Sequence, residues 1–140
     1  MSPKTLRTAI AIVLFVHAIG HSQGIAASLQ VVKLEGWNAD SWLFDGIFRE
    51  RGSRTLAVIL FAACVLGFCA TALAFLGIGI PHELWRTLGI IFAIPSVICL
   101  IAYPNAFAMS FNRVGAIAVN AWIVVGLLLL RWPSEADLGF

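Results

Sequence analysis

Two histidines carry the chemistry this chain is equipped to do. His17 and His21 are four residues apart, and Gly20, Gly24 and Ser28 complete the series i, i+3, i+4, i+7 and i+11. On a helix these positions form one stripe, so both imidazoles and the small residues share a face. An imidazole can hold a proton, a metal or a cofactor, and an ionisable residue at membrane depth is a functional-site candidate. The bland alternative is that the rings simply bond to neighbouring helices, at about 0.6 kcal/mol per contact. Gly20 and Gly24 also make a GxxxG, a spacing that admits a close neighbouring backbone. The stripe is therefore expected to meet another membrane protein's helix or a second copy of this chain.

Other polar residues share that depth. Ser96, Cys99 and Tyr103 form one stripe, and Asn112, Ala116 and Asn120 form another. With about 1.5 Å of rise per residue, His17, His21, Cys64, Ser96 and Asn120 all fall near the middle of their apolar runs. His17, His21, Ser96 and Asn120 are the candidate cofactor-binding residues. A metal needs three or four ligands, no carboxylate lies in any run, and His82 falls at a membrane surface, so no metal site is expected. Haem held by two histidines needs them on opposite faces of the porphyrin, which leaves one axial His or pairs from two subunits. A quinone needs only a donor such as His21 or Asn120 and apolar walls such as Phe61, Phe68 and Phe92. A transport or channel module would instead need a wetted path along Asn112, Asn120, Ser96 and the histidines. There is no phosphate loop, nucleophile elbow or HExxH, and no catalytic residue is identified. Cys64, Cys69 and Cys99 form no CxxC and read as small buried hydrophobes.

The elements that must position these residues follow from composition. The 140 residues are 61% hydrophobic and 11% charged, against roughly 25% charged in a soluble domain, so the solvent implied is lipid. A formal net charge of +2, not gathered into a run, argues against nucleic acid as partner. Four apolar runs, Arg7 to Val32, Thr55 to Leu76, Leu84 to Ala102 and Val114 to Leu130, have no acidic or basic residue in their interiors. Each is near the roughly 20 residues that cross a bilayer as a helix. Their continuous apolarity excludes the alternation of barrel strands. The expected fold is all-α and integral to the membrane: an antiparallel four-helix bundle, one domain over residues 1–140, with a longer amphipathic first loop.

That loop, Lys33 to Arg54, mixes Trp37, Trp42, Phe44 and Phe48 with charges, and predicts a short interfacial helix with an Asp45–Arg49 ion pair. It serves as an anchor, or as a cap over one mouth of the bundle. Gly77, Gly79 and Pro81 punctuate a hairpin between the second and third helices, and Tyr103 to Asn105 a turn before the fourth. Pro95 is expected to kink the third. The termini are expected on the cytoplasmic side, because Lys4 and Arg7 directly precede the first run. A cleavable signal peptide ending near Gly24 is the alternative for that run, but its apolarity continues past that point, so it is expected to stay.

Arg7 and His17, within RTAIAIVLFVHAIGH, resemble the opening helix of DoxX-like proteins, small bacterial membrane proteins of four helices. Ala18 stands where that family tends to have Gly, and His21 where it tends to have a basic residue. The resemblance implies a bacterial inner-membrane location and a role as accessory subunit or partner of a membrane redox system.

Overall fold

The computed structural model describes residues 2–140, whose regular secondary structure is all helical apart from one isolated bridge between Leu34 and Trp37. Four helices are long and apolar enough to cross a membrane. The first, α1, is Pro3–Ser28. Ser2 caps it by accepting from the Thr5 amide at 3.2 Å, and Pro3 supplies a first-turn residue with no N–H to waste. The helix thus starts four residues before the apolar run predicts and ends four before its limit.

The second helix, α2, is Asp45–Leu76, and it absorbs the end of the first loop. Arg49 interrupts it with φ 58° and ψ 165°. This break removes the helical spacing on which the expected Asp45–Arg49 ion pair depends. The Asp45 carboxylate instead accepts from the Ser41 amide at 2.9 Å. The loop is no free-standing interfacial helix. Trp37 donates to the Ala106 carbonyl at 2.9 Å and Trp42 to that of Ile101 at 2.7 Å, so its indoles are tied to the far end of the third helix and the turn that follows it.

Gly77, at φ 68°, closes α2 in the left-handed conformation that glycine reaches without steric cost. A single 3-10 turn, His82–Leu84, leads into α3, Trp85–Ala102, which runs through Pro95. The fourth, α4, is Ser110–Leu129, α-helical to Trp122 and π-helical over Ile123–Leu129. A last turn, α5, is Glu135–Leu138.

Side-chain size decides how closely the helices approach. Gly24 of α1 lies against the Phe61 ring of α2, and Gly67 of α2 against the Phe92 ring of α3, with no room for a Cβ at either. Phe92 is thereby spent on helix packing rather than on the wall of a site. The buried stripe of α4 is Ala116, Asn120, Ile123 and Leu127, which turns toward the other helices. Outward positions are apolar as well: Leu66, Ile94 and Leu129 are 71%, 61% and 73% exposed. Such a surface is unfavourable in water and suited to hydrocarbon.

At one end of the molecule the described termini meet. Gly139 lies beside Pro3, and the Phe140 ring stacks on His82 at 4.2 Å with the Arg7 guanidinium 4.9 Å from its centroid. Arg86 fixes the end of α4, donating to the carbonyls of Leu127, Arg131 and Pro133 at 3.1, 3.3 and 3.0 Å. A π-helical end leaves carbonyls without partners, and the guanidinium fork supplies three N–H bonds to that region.

Candidate functional site

The four candidate residues are brought together. His17 and His21 project from the same face of α1, and their Nε2 atoms are 3.3 Å apart. Ser96 of α3 places its hydroxyl 2.8 Å from His21 Nε2. Asn120 of α4 donates through Nδ2 to Ser96 Oγ at 2.8 Å and to the Ala116 carbonyl at 3.0 Å. All four are buried, His21 and Ser96 completely. Three helices are thus joined at one depth by a continuous hydrogen-bonded chain.

Bonding capacity sets its direction. Asn120 Nδ2 faces two oxygens, which fixes the amide's orientation. Ser96 Oγ already accepts from Asn120, so its proton goes to His21 Nε2. That nitrogen is then an acceptor, and His21 carries its hydrogen on Nδ1. The longer contact to His17 Nε2 at 3.3 Å shares that same lone pair, so it is a weak bifurcated contact and not a full second bond. Two protonated Nε2 atoms would repel each other across this contact, so the geometry requires one of them bare. Two polar atoms end without a partner: His21 Nδ1 and Asn120 Oδ1, both buried. An unpaired buried polar group costs about 1–3 kcal/mol, so the two atoms are bonding capacity that the core leaves unused.

Aromatic rings surround the histidines. Phe68 meets His17 edge-on at 4.5 Å and lies nearly parallel to His21 at 5.9 Å. Phe61 and Phe107 complete the shell around His21 at 5.9 and 6.0 Å. Phe61 and Phe68 were legible as apolar walls at helical spacing. Phe107 was not, because it follows the Pro104–Ala106 turn, outside any periodic run.

Beside this chain, between α1 and α4, is a cleft of about 370 Å³. His17 and His21 line it together with apolar side chains such as Ile12, Val16, Phe111 and Val119. Ile12, Val16 and Phe111 are themselves exposed, so the cleft opens onto the apolar outer surface. Gly20 and Gly115 lie on its walls, and a Cβ at either would meet nothing within 4 Å. The GxxxG pair is therefore split. Gly24 is occupied from within by Phe61, and only Gly20 remains open, so the two glycines do not form one surface for an outside helix.

Gln23 is a residue the sequence pattern did not single out. Its Oε1 accepts from the Ala108 amide and from Asn112 Nδ2, both at 3.1 Å, and ties α1 to the start of α4 above the cleft. Asn112 also lies on the cleft and is bonded to Gln23, not to Asn120. Cys64 and Cys99 are buried free thiols and Cys69 is half-buried.

The donor set bears on the ligand. Among the described residues no three His, Cys, Asp or Glu side chains converge. Both Nε2 atoms are engaged inside the chain, and two rings on one face of one helix cannot take opposite faces of a haem, so the pair offers no bis-histidine site. The cleft is apolar, and His17 and His21 lie on its lining. No family model, curated protein or solved structure matches the chain.

Proposed function

We propose that the protein is a small integral membrane component of a bacterial redox system, crossing the inner membrane as an antiparallel four-helix bundle. In this reading the α1–α4 cleft receives a lipid-soluble carrier of the quinone class. The observation that carries it is the buried His17–His21–Ser96–Asn120 chain beside an apolar cleft that opens toward lipid. A quinone carbonyl can accept from the free His21 Nδ1–H, while the ring lies against apolar walls and the tail leaves toward the acyl chains. This chain's residues would bind and orient the carrier. The oxidising or reducing centre would belong to a partner membrane protein, so the role is accessory. The DoxX-like pattern of Arg7 and His17 supports the same placement.

The test is to solubilise the protein from its membrane in mild detergent, extract it with organic solvent and quantify quinone. About one quinone per chain, lost in His21→Ala and retained when the same preparation carries His82→Ala, supports the reading. A quinone-free preparation that also fails to bind a short-chain quinone analogue contradicts it. Co-purification of an oxidoreductase with the unmodified chain tests the accessory role separately.

A further inference from the structure

A second pocket, of about 400 Å³, lies where α1 ends and the apolar part of α2 begins. Its polar side is Ser28, Glu50, Arg51, Arg54 and Thr55, and its apolar side is Leu29 and Val58. This is the level at which apolar span gives way to charged loop, where lipid headgroups sit.

The charges in it are not equivalent. Arg54 is spent internally: its guanidinium is 2.7 Å from Glu50 Oε1 and 3.6 Å from Asp40. Gln30, with its amide oxygen turned toward it, accepts from the same guanidinium at 3.0 and 3.1 Å. Arg51 has no carboxylate within ion-pair distance among the described residues. The pocket therefore contains one uncompensated cation. It also presents acceptors. Ser28 gives its proton to the Gly24 carbonyl at 2.6 Å and Thr55 gives its own to that of Arg51 at 3.0 Å, so both hydroxyl oxygens keep free lone pairs. Glu50 Oε2 is not used by the Arg54 pair.

We propose that this pocket binds the headgroup of a phospholipid carrying both a phosphodiester and a primary ammonium. The phosphate pairs with the Arg51 guanidinium, whose fork matches phosphate oxygens. The ammonium has three N–H donors, and Glu50 Oε2, Ser28 Oγ and Thr55 Oγ1 are the acceptors that answer them. The acyl chains descend past Leu29 and Val58. A quaternary choline headgroup has no N–H to give, so the pocket selects ethanolamine over choline. The inference rests on the membrane placement above and is independent of the quinone site.

Native mass spectrometry of the full chain released from mixed micelles with equal phosphatidylethanolamine and phosphatidylcholine tests it. Retention of the ethanolamine lipid should exceed that of the choline lipid by on the order of tenfold, the equivalent of one charge-assisted hydrogen bond. Arg51→Gln, which breaks no side-chain bond within the chain, should lose the retained lipid, and Glu50→Gln, which leaves only the Ser28 and Thr55 hydroxyls as acceptors, should sharply narrow the difference between the two. Equal retention by the unmodified chain, or undiminished retention in Arg51→Gln, would overturn the proposal. So would displacement of the lipid by millimolar inorganic phosphate, which would identify a soluble phosphate as the occupant.

Discussion

The Ser96 hydroxyl stands 2.8 Å from His21 Nε2, and the same oxygen accepts from Asn120 Nδ2 at 2.8 Å. One small side chain on α3 therefore holds an imidazole of α1 and an amide of α4. Ser96→Ala would leave both without their bond. Asn120 Nδ2 would keep the Ala116 carbonyl and His21 Nε2 only the longer His17 contact, and losing two buried bonds at once should cost about 1–3 kcal/mol, more than the roughly 0.6 kcal/mol of an average hydrogen bond in a membrane protein. Asn120→Leu, which removes one group and fills its space, should cost less. Denaturant-induced unfolding in detergent micelles measures both. In the double variant the costs should fall short of additivity, because Ser96 and Asn120 share a bond.

The two glycines of the GxxxG should behave oppositely. A methyl at Gly24 runs into the Phe61 ring, whereas one at Gly20 meets open space. Gly24→Ala should lose about 1–3 kcal/mol through overpacking, and Gly20→Ala should lie within about 0.5 kcal/mol of the parent. A bulkier Gly20→Leu should remain folded and abolish ligand binding by filling the cleft. The same micelle unfolding, paired with quinone titration, reads out all three.

Arg86→Lys keeps the charge and loses the fork. Lysine's single nitrogen cannot satisfy the carbonyls of Leu127, Arg131 and Pro133 as the guanidinium does, so the π-helical end of α4 should fray. A loss on the order of 2 kcal/mol is expected, localised as faster amide exchange around residues 127–133. Exchange mass spectrometry in micelles shows this directly, and uniform acceleration across the chain would contradict it.

The C-terminal turn should be acid-sensitive. Asp137 accepts from the Ser134 amide at 2.9 Å and hydroxyl at 2.8 Å, bonds that hold its carboxyl below the ordinary aspartate value. A depressed value means that the bonds favour the folded turn while the carboxylate is ionised. That contribution is present above the unfolded value and is lost as pH falls through the folded one. Below about pH 4, α5 should loosen from α1, seen as faster exchange at Leu138. Ser134→Ala, which removes the hydroxyl bond and keeps the amide bond, should weaken the pH dependence, and Asp137→Asn should abolish it.

Much of the site was legible from the residues that hydrocarbon does not tolerate. His17, His21, Ser96 and Asn120 fall at helical spacing near the middle of their runs, and a polar group at that depth turns inward and finds another. The four spans were legible for the complementary reason, since their charges lie at the seams. What was hidden depends on pairing between distant segments. Nothing in the GxxxG says that Phe61 occupies Gly24 and leaves Gly20 open. Gln23 is one polar residue near a helix end until Ala108 and Asn112 are placed against it. The Asp45–Arg49 spacing suggested an ion pair only if the helix were continuous, and the backbone of Arg49 breaks it. Neither the π-helical turn of α4 nor its closure by Arg86 has a local sequence signal.

Nitrogen-15 NMR of histidine-labelled protein in bilayers tests the central claim most directly. One Nε2 of the His17–His21 pair should bear a proton and the other be bare. The His21 nitrogens should shift both in Ser96→Ala and when a short-chain quinone is added, while His82 stays unchanged. Two equivalent imidazoles that respond to neither perturbation, or that show contacts to lipid acyl chains in place of Phe61 and Phe68, would contradict it.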